Sequence, residues 1–414
     1  MRVFISWVII FILWAGPLAA QQPCITYEHN RDRMASQPVL RQALVAAEQF
    51  AASQPANALS AASRGPVTVI TIPVVVHILY HTASENISDK QVYDQLRVLN
   101  ECFRRLNADS VNTPERFRGR AGDAGFEFKL AISDARRRST SGIIRKYTPV
   151  TTWNTDDKMK FTSETGDDAW DRDKYLNIWV CNIGRIAGYS TFPGDDAAVD
   201  GIVISPGFFG PREGFSGKTT VHEAGHWLGL KHIWGDEWCG DDGVDDTPKQ
   251  GNSTMFCPAS GVKTSCDNGA DGDMYMNYMD LTPDVCTNMF SEGQVTRMRN
   301  HFAAGGARAK LLVSPGLQLP LISEIPIAET DPTWLYANLY PNPARDELTI
   351  DFAFDIRWIG KSLTVTNAQG QVVSQHTINS KKQTIDISRL RPGYYFIAGK
   401  KEDGSKIQLK FIKI

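Results

Sequence analysis

The chain carries almost no net charge. Its 44 lysines and arginines against 46 aspartates and glutamates leave −2 over 414 residues, so there is no electrostatic case for nucleic acid as a partner. A membrane span is also lacking. Residues 3–13 are almost wholly apolar, but the run is too short to cross a bilayer comfortably, and no later apolar run is long enough. That first run follows Arg2 and leads into Ala-Gly-Pro-Leu-Ala-Ala, the layout of a secretory signal peptide cut near Ala20. Cys24 follows Gln-Gln-Pro, which does not match a lipoprotein cleavage site. Cysteine is sparse, at seven residues, yet four of them fall within residues 239–286. This suits export and a local disulfide frame, and the odd total leaves at least one thiol unpaired or in another role. Whether Cys102 and Cys181 pair stays open.

The length allows two domains with a sizeable core. Residues 21–65 are rich in Ala, Gln and Ser and hold one candidate helix, Val39 to Phe50. Ile70 to Tyr80 is a β-branched strand, with His77 and His81 too far apart along it, about 13 Å, to chelate together. Ser88 to Gln91 reads as a capping box before a helix striped by Val92, Leu96, Leu99, Phe103 and Leu106. Strands follow at Phe126 to Ile132, Leu176 to Ile183 and Gly201 to Ser205. This order predicts an α+β unit whose mixed sheet is backed by a helix. The pattern is irregular after His232, and Ser291 to Gln294 opens a last helix. A Pro-rich stretch then leads to closely spaced strands from Glu347 to Ile414, which argue for a small all-β sandwich.

The most specific stretch is His222-Glu-Ala-Gly-His-Trp-Leu-Gly-Leu-Lys-His232. His222 and His226 are four apart, so on a helix both rings leave one face and can bind one metal. Glu223 lies one position round, within reach of a water on that metal. Ten positions of straight helix to His232 would be about 15 Å, against a zinc–nitrogen bond of roughly 2 Å. The helix must therefore end and double back, and Gly229 sits where a left-handed cap costs nothing sterically. Five such fixed positions recur by chance in about one chain in ten thousand of this length. A capping-box reading of Thr220 to Glu223 leaves His226, Gly229 and His232 unexplained.

Three neutral imidazoles leave zinc its charge and an open fourth position, which lowers the pKa of bound water from about 15.7 toward about 7. Glu223 is placed to take a proton from that water and later deliver it to a leaving amine. The expected reaction is hydrolysis of peptide bonds without a covalent intermediate. Cys24 is a candidate for the fourth position before activation, since a thiolate is a good zinc ligand.

The long histidine motif resembles that of the metzincin metallopeptidases, which carry a second mark downstream, a tight turn with methionine below the zinc. In Met274-Tyr-Met-Asn-Tyr-Met-Asp280 the family's Met-x-Tyr falls on Met276 and Tyr278. The resemblance implies that Met276 floors the site and that the Tyr278 hydroxyl assists the developing oxyanion. The four late cysteines bring the resemblance to the pappalysin family. It implies bridges Cys239–Cys266 and Cys257–Cys286, each closing a loop of nearly thirty residues and worth roughly 3–4 kcal/mol.

The same family implies three further features. A calcium loop falls within Gly240 to Pro248, with Asp242, the Val244 carbonyl, Asp245 and Thr247 as oxygen donors. Cleavage before basic residues would be set by an acidic side chain near the last cysteine, here Asp284. Latency would rest on a cysteine in the pro-segment, here Cys24. Leu339-Tyr-Pro-Asn-Pro343, Leu390-Arg-Pro-Gly-Tyr-Tyr395 and the Lys-rich last strand resemble the C-terminal sorting domain of type IX secretion, which implies the secretion machinery as a partner and passage to the cell surface or medium.

The expected organisation is a signal peptide at 1–20, a pro-segment at 21–65, a zinc peptidase domain at 66–313, a linker at 314–333 and a sorting domain at 334–414. Protein and peptide substrates are expected. An inactive metal-binding scaffold and a surface adhesin led by the sandwich are the other classes.

Overall fold

The computed structural model describes residues 22–54, 67–321, 337–352, 358–380, 382–400 and 406–414. The signal-peptide and most linker assignments lie outside them. In chain order the first unit comprises β1 (Gln22–Cys24), α1 (Thr26–Ser36), α2 (Pro38–Ser53), β2 (Ile70–Tyr80), α3 (Asp89–Phe103), α4 (Glu115–Arg118), β3 (Ala121–Gly122), β4 (Phe126–Leu130), β5 (Ile143–Tyr147), β6 (Leu176–Val180), β7 (Ile186–Ser190), β8 (Ile202–Ile204), α5 (Lys218–Trp227), β9 (Phe290–Ser291) and α6 (Glu292–Asn300).

The main sheet runs β1-β7-β8-β6-β2-β4, with β5 also paired to β2. It is parallel except where β7 runs against β8. β2 has only one of its eleven residues partly exposed, as its β-branched run dictates for a strand covered on both faces. The core between sheet and helices joins Val74, Val76 and Ile78 of β2 to Leu96 and Leu99 of α3, Val221 and Ala224 of α5, and Met298 of α6. Thus α3 backs the sheet as expected, and α5 packs beside it. Gln95 ties the two helices: its Oε1 accepts from Thr220 Oγ1 at 2.9 Å, and its Nε2 donates to the Gly217 carbonyl at 3.0 Å. Ser88 caps α3, and Ser291 with Gln294 forms a full capping box on α6.

Three features depart from the sequence reading. β5 and β7 were not expected, and the leader region forms two helices rather than one. The segment assigned to the linker from residue 314 stays packed on the first unit as far as Leu321: Ser314 Oγ donates to the Lys174 carbonyl at 2.6 Å, and Leu321 N to the Arg137 carbonyl at 2.9 Å. Buried Gly316 seals against Pro73 and Tyr175, where a Cβ would meet atoms at 2.8 Å or less, so this stretch belongs to the first unit. Cys102 and Cys181 are separate buried thiols.

The second unit has two antiparallel sheets. One runs β10 (Asn338–Tyr340), β11 (Glu347–Asp351), β14 (Lys382–Asp386), and the other β13 (Val372–Thr377), β12 (Ser362–Asn367), β15 (Gly393–Lys400), β16 (Lys406–Lys413). Leu348, Ile350 and Ile385 of the first sheet share a core with Leu363, Val365, Ile397 and Phe411 of the second. Among the described residues no helix is long and apolar enough to cross a membrane.

Candidate metal centre

Helix α5 begins at Lys218 behind Gly217, whose φ of +81° ends the preceding loop. Thr220 and Glu223 are therefore interior helix residues, not a capping box. The start of the helix is held by Asp284, whose Oδ2 accepts from Ser216 N at 2.8 Å and Lys218 N at 3.2 Å. A carboxylate suits that end because the helix dipole is positive there. The Lys218 ammonium is satisfied by the Asp109 carboxylate and by the carbonyls of Asp284 and Thr287 at 2.7 and 2.6 Å.

The helix stops as the motif requires. Gly229 has φ +96°; its N–H donates to the His226 carbonyl at 2.8 Å, and Leu230 N–H to the Gly225 carbonyl at 3.0 Å. This is a Schellman cap. A side chain at Gly229 would be strained, and its Cβ would meet His301 Nε2 at 2.2 Å. Arg297 Nε also donates to the Gly229 carbonyl at 2.8 Å. The reversal carries His232 back to the rings of His222 and His226, with centroids 5.2 and 4.6 Å away.

Each imidazole is aimed through its other nitrogen. Nδ1 of His222 donates to the Tyr278 carbonyl at 2.7 Å, and Nδ1 of His226 to the Leu230 carbonyl at 2.7 Å. Nδ1 of His232 meets the Asp236 carboxylate. Such outer partners fix the tautomer that leaves Nε2 free to ligate. The Nε2 atoms of His222 and His226 then face each other at 3.1 Å, and His232 Nε2 is buried without a hydrogen-bond partner. Lone pairs brought together in this way are favourable only around a cation. Burial and the neighbouring His232 push His222 down to about 3, and burial pushes His226 well below its ordinary value. Both are thus held in the neutral form that ligation needs. The residues present fit zinc, a metal of nitrogen and sulfur donors.

Cys24 completes the cluster. Its Sγ is 3.6 Å from His226 Nε2, and the four ligand atoms lie within 4.8 Å of one another. Burial, then the Glu223 carboxylate, push this thiol well above its usual range, so ligation would depend on the ion's own charge. β1 delivers Cys24 by pairing in parallel with β7, Gln22 opposite Ile186 and Cys24 opposite Gly188. Gly188 packs closely there: a Cβ would come within 3.2 Å of Glu223 Cγ and 2.6 Å of Ile204 Cδ1.

Glu223 is fully buried, and burial pushes its carboxyl up to about 7. Its Oε2 accepts from the Thr26 hydroxyl at 2.8 Å, while Ser190 N–H donates to the same hydroxyl at 2.9 Å. Thr26 was not singled out from the sequence, although it stands two residues past Cys24. Asp236, four past His232, was also missed.

The methionine turn needs correcting. Met279, not Met276, lies under the metal helix, since a Cβ on Gly225 would meet the Met279 sulfur at 2.5 Å. Met276 is buried too, but is known here by its carbonyl, which accepts from Asn288 N at 2.8 Å. Tyr278 serves the site through its carbonyl on His222. Its hydroxyl lies beside the Cys102 thiol, and burial with Cys102 raises it well above the ordinary value. The oxyanion role assigned to that hydroxyl therefore has no geometric basis. Three methionines in six residues hid the register.

Both bridges, Cys239–Cys266 and Cys257–Cys286, are formed. In the acidic loop, Thr247 Oγ1 is 2.9 Å from each Asp242 oxygen and donates to the Val244 carbonyl at 2.8 Å. These three groups converge, whereas Asp245 is exposed. Asp246 instead serves α6, accepting from Ser291 Oγ at 2.6 Å and Gly293 N at 2.8 Å. Burial pushes Asp242 up to about 7.

A parallel sheet edge above an active-site helix, with a third histidine returned by a glycine turn and a methionine beneath, defines a metallopeptidase of the metzincin class. Residues 160–303 match the family of pregnancy-associated plasma protein-A, Peptidase M43, and residues 338–414 match the secretion system C-terminal sorting domain. An extracellular metalloprotease of Verticillium alfalfae is 29% identical over 303 residues, 69% of this chain and 92% of that protein. One of Pyricularia oryzae is 30% identical over 262 residues, 60% of this chain and 79% of that protein. Among solved structures, mirolysin in complex with compound 9 is 44% identical, covering 61% of this chain and 99% of that one at a TM-score of 0.59. A Tannerella forsythia promirolysin mutant is 39% identical, covering 70% and 97% at 0.64. The chain belongs to the pappalysin family, and it is a secreted metallopeptidase with a type IX sorting domain.

Proposed function

We propose that this chain is the latent precursor of a zinc endopeptidase. The observation that carries the reading is the convergence of Cys24 Sγ with the three imidazoles beside buried Glu223. His222, His226 and His232 would hold the zinc, which when bound supplies Lewis acidity to a peptide carbonyl and acidity to a water. Glu223 takes up the proton of the attacking water and returns it to the leaving amine. Asp236 and the carbonyls of Tyr278 and Leu230 keep the three rings in register. Met279 packs the floor.

Latency rests on residues 21–65. Cys24 fills the position that water needs, Thr26 ties up the base, and β1 occupies the sheet edge where an extended substrate would pair. The match to promirolysin, wider than that to mature mirolysin, supports this reading.

Asp284 is the residue proposed to favour basic side chains just after the cut. Its Oδ2 is engaged with the Ser216–Lys218 turn, and among the described residues its Oδ1 takes no hydrogen bond. Mass spectrometry of fragments from a denatured protein mixture tests the function: internal cuts with Arg or Lys enriched immediately after them are expected. Absence of internal cuts would remove the endopeptidase reading, and cuts without that enrichment would remove Asp284's role.

Asp242, the Val244 carbonyl and Thr247 are proposed to hold calcium, Asp242 being a buried carboxylate in want of a cation. Metal analysis after dialysis against a weak chelator should then find calcium beside zinc; zinc alone would reject the loop as a calcium site. The sandwich is proposed to address the chain to the type IX machinery. A chain ending at Thr333 should accumulate inside the cell, with export to the medium lost; undiminished export would contradict this.

A further inference from the structure

The leader does more than cover the zinc ligands. Beyond Cys24, α1 continues past the end of β7: Asn30 Nδ2 donates to the Ser190 carbonyl at 2.9 Å, and one turn later Arg33 reaches Asp195. The guanidinium forms a two-pronged pair, NH1 to Oδ2 and NH2 to Oδ1, both at 2.7 Å. Bidentate pairs of this kind are specific for a planar cation. The Asp195 side chain is wholly buried. Among the described residues Arg33 is the one cation paired with it; its other partner is its neighbour's amide, Asp196 N, at 2.6 Å.

Asp157, close by, differs. It also meets the leader, His29 Nε2 at 3.2 Å and Arg33 Nε at 3.8 Å, but it keeps Lys160 Nζ at 2.8 Å and the Tyr189 hydroxyl at 3.0 Å from its own unit. When the leader leaves, Asp157 keeps a cation on its carboxylate, whereas the Asp195 carboxylate oxygens lose their ion pair and keep only the field of two arginines of their own unit, Arg172 on the main-chain carbonyl and Arg308 further off. A buried carboxylate that loses its two-pronged partner is left with unsatisfied oxygens, and a substrate cation would replace the one removed.

We propose that Asp195 is a second specificity residue, one that binds an arginine or lysine side chain of the substrate several residues from the cleaved bond, in the place Arg33 holds in the precursor. This rests on the reading of residues 21–65 as a removable segment. Thr26 to Arg33 spans about 10 Å of helix, which an extended chain covers in about three residues. The basic residue is therefore expected about three to five positions from the cut, on one side only. This is separate from any preference at the residue immediately after the cut.

The test uses the full chain allowed to mature, with intact mass confirming loss of the leader. Cut sites in a denatured protein mixture should show Arg and Lys enriched at one position in that window. For a peptide pair differing only there, Arg against Ala, the ratio of kcat/KM should fall about tenfold or more in Asp195→Asn. Arg33→Ala, which breaks the same pair from the leader side, should mature to an enzyme with the parent's cut profile. A parent profile flat across the window, or an Arg-to-Ala ratio unchanged in Asp195→Asn, overturns the proposal. Should Asp195→Asn fail to fold, Asp195→Glu is read on the same ratio, with a lowered ratio expected and an unchanged one adverse. A chain that cleaves with residues 21–65 still attached contradicts the latency reading instead, and is seen by mass alone.

Discussion

Glu223→Gln is expected to lower kcat/KM on casein-derived peptides by about 10²–10⁴-fold, the usual worth of a positioned general base. The amide keeps the shape of the side chain and can still accept from the Thr26 hydroxyl, so the fold should hold. It cannot take up a proton. Because Glu223 ligates nothing, zinc content should match the parent. Loss of activity with zinc retained separates a base from a metal ligand. A rate within tenfold of the parent would remove Glu223 from the role of base, and a matured parent without activity would return the chain to the class of metal-binding scaffolds or adhesins.

Cys24→Ala should have the next largest effect, in the opposite direction. The substitution removes one of the four donors proposed to hold the metal and leaves β1, Thr26 and the Arg33–Asp195 pair in place. Latency should weaken rather than vanish. A loss of about 1.4–2.8 kcal/mol corresponds to a tenfold to hundredfold rise in activity of the unprocessed chain. Removal of the leader should also begin sooner. The check is a time course of casein cleavage beside intact-mass analysis, and an unchanged onset would contradict the role of Cys24.

The three clustered histidines were legible because their chemistry is written locally. His222 and His226 need only a helix, and His232 forces a reversal that Gly229 performs. The long strand β2 was legible as a continuous β-branched run, and the strands of the sandwich by the alternation that burial on one sheet face imposes. β7 was not: Ile186-Ala-Gly-Tyr-Ser is five residues with a central glycine, too short and too broken for its pattern to declare a strand. The helix α1 is polar and gains its place from contacts with Glu223, Ser190 and Asp195, which no local pattern encodes. The methionine register failed because Met274, Met276 and Met279 are equally buried and only Gly225 distinguishes them. The cysteine pairs came from resemblance; spacing alone allows three pairings.

Latency and catalysis both depend on one proposed four-cornered arrangement, Cys24 with three imidazoles around a single ion. X-ray absorption at the zinc edge on the freshly purified full chain tests it most directly. One zinc per chain is predicted, with one sulfur and three nitrogen neighbours, the sulfur lost in Cys24→Ala and the metal released on His232→Ala. A zinc with no sulfur neighbour in the unprocessed chain, or one held as firmly without His232, would contradict it.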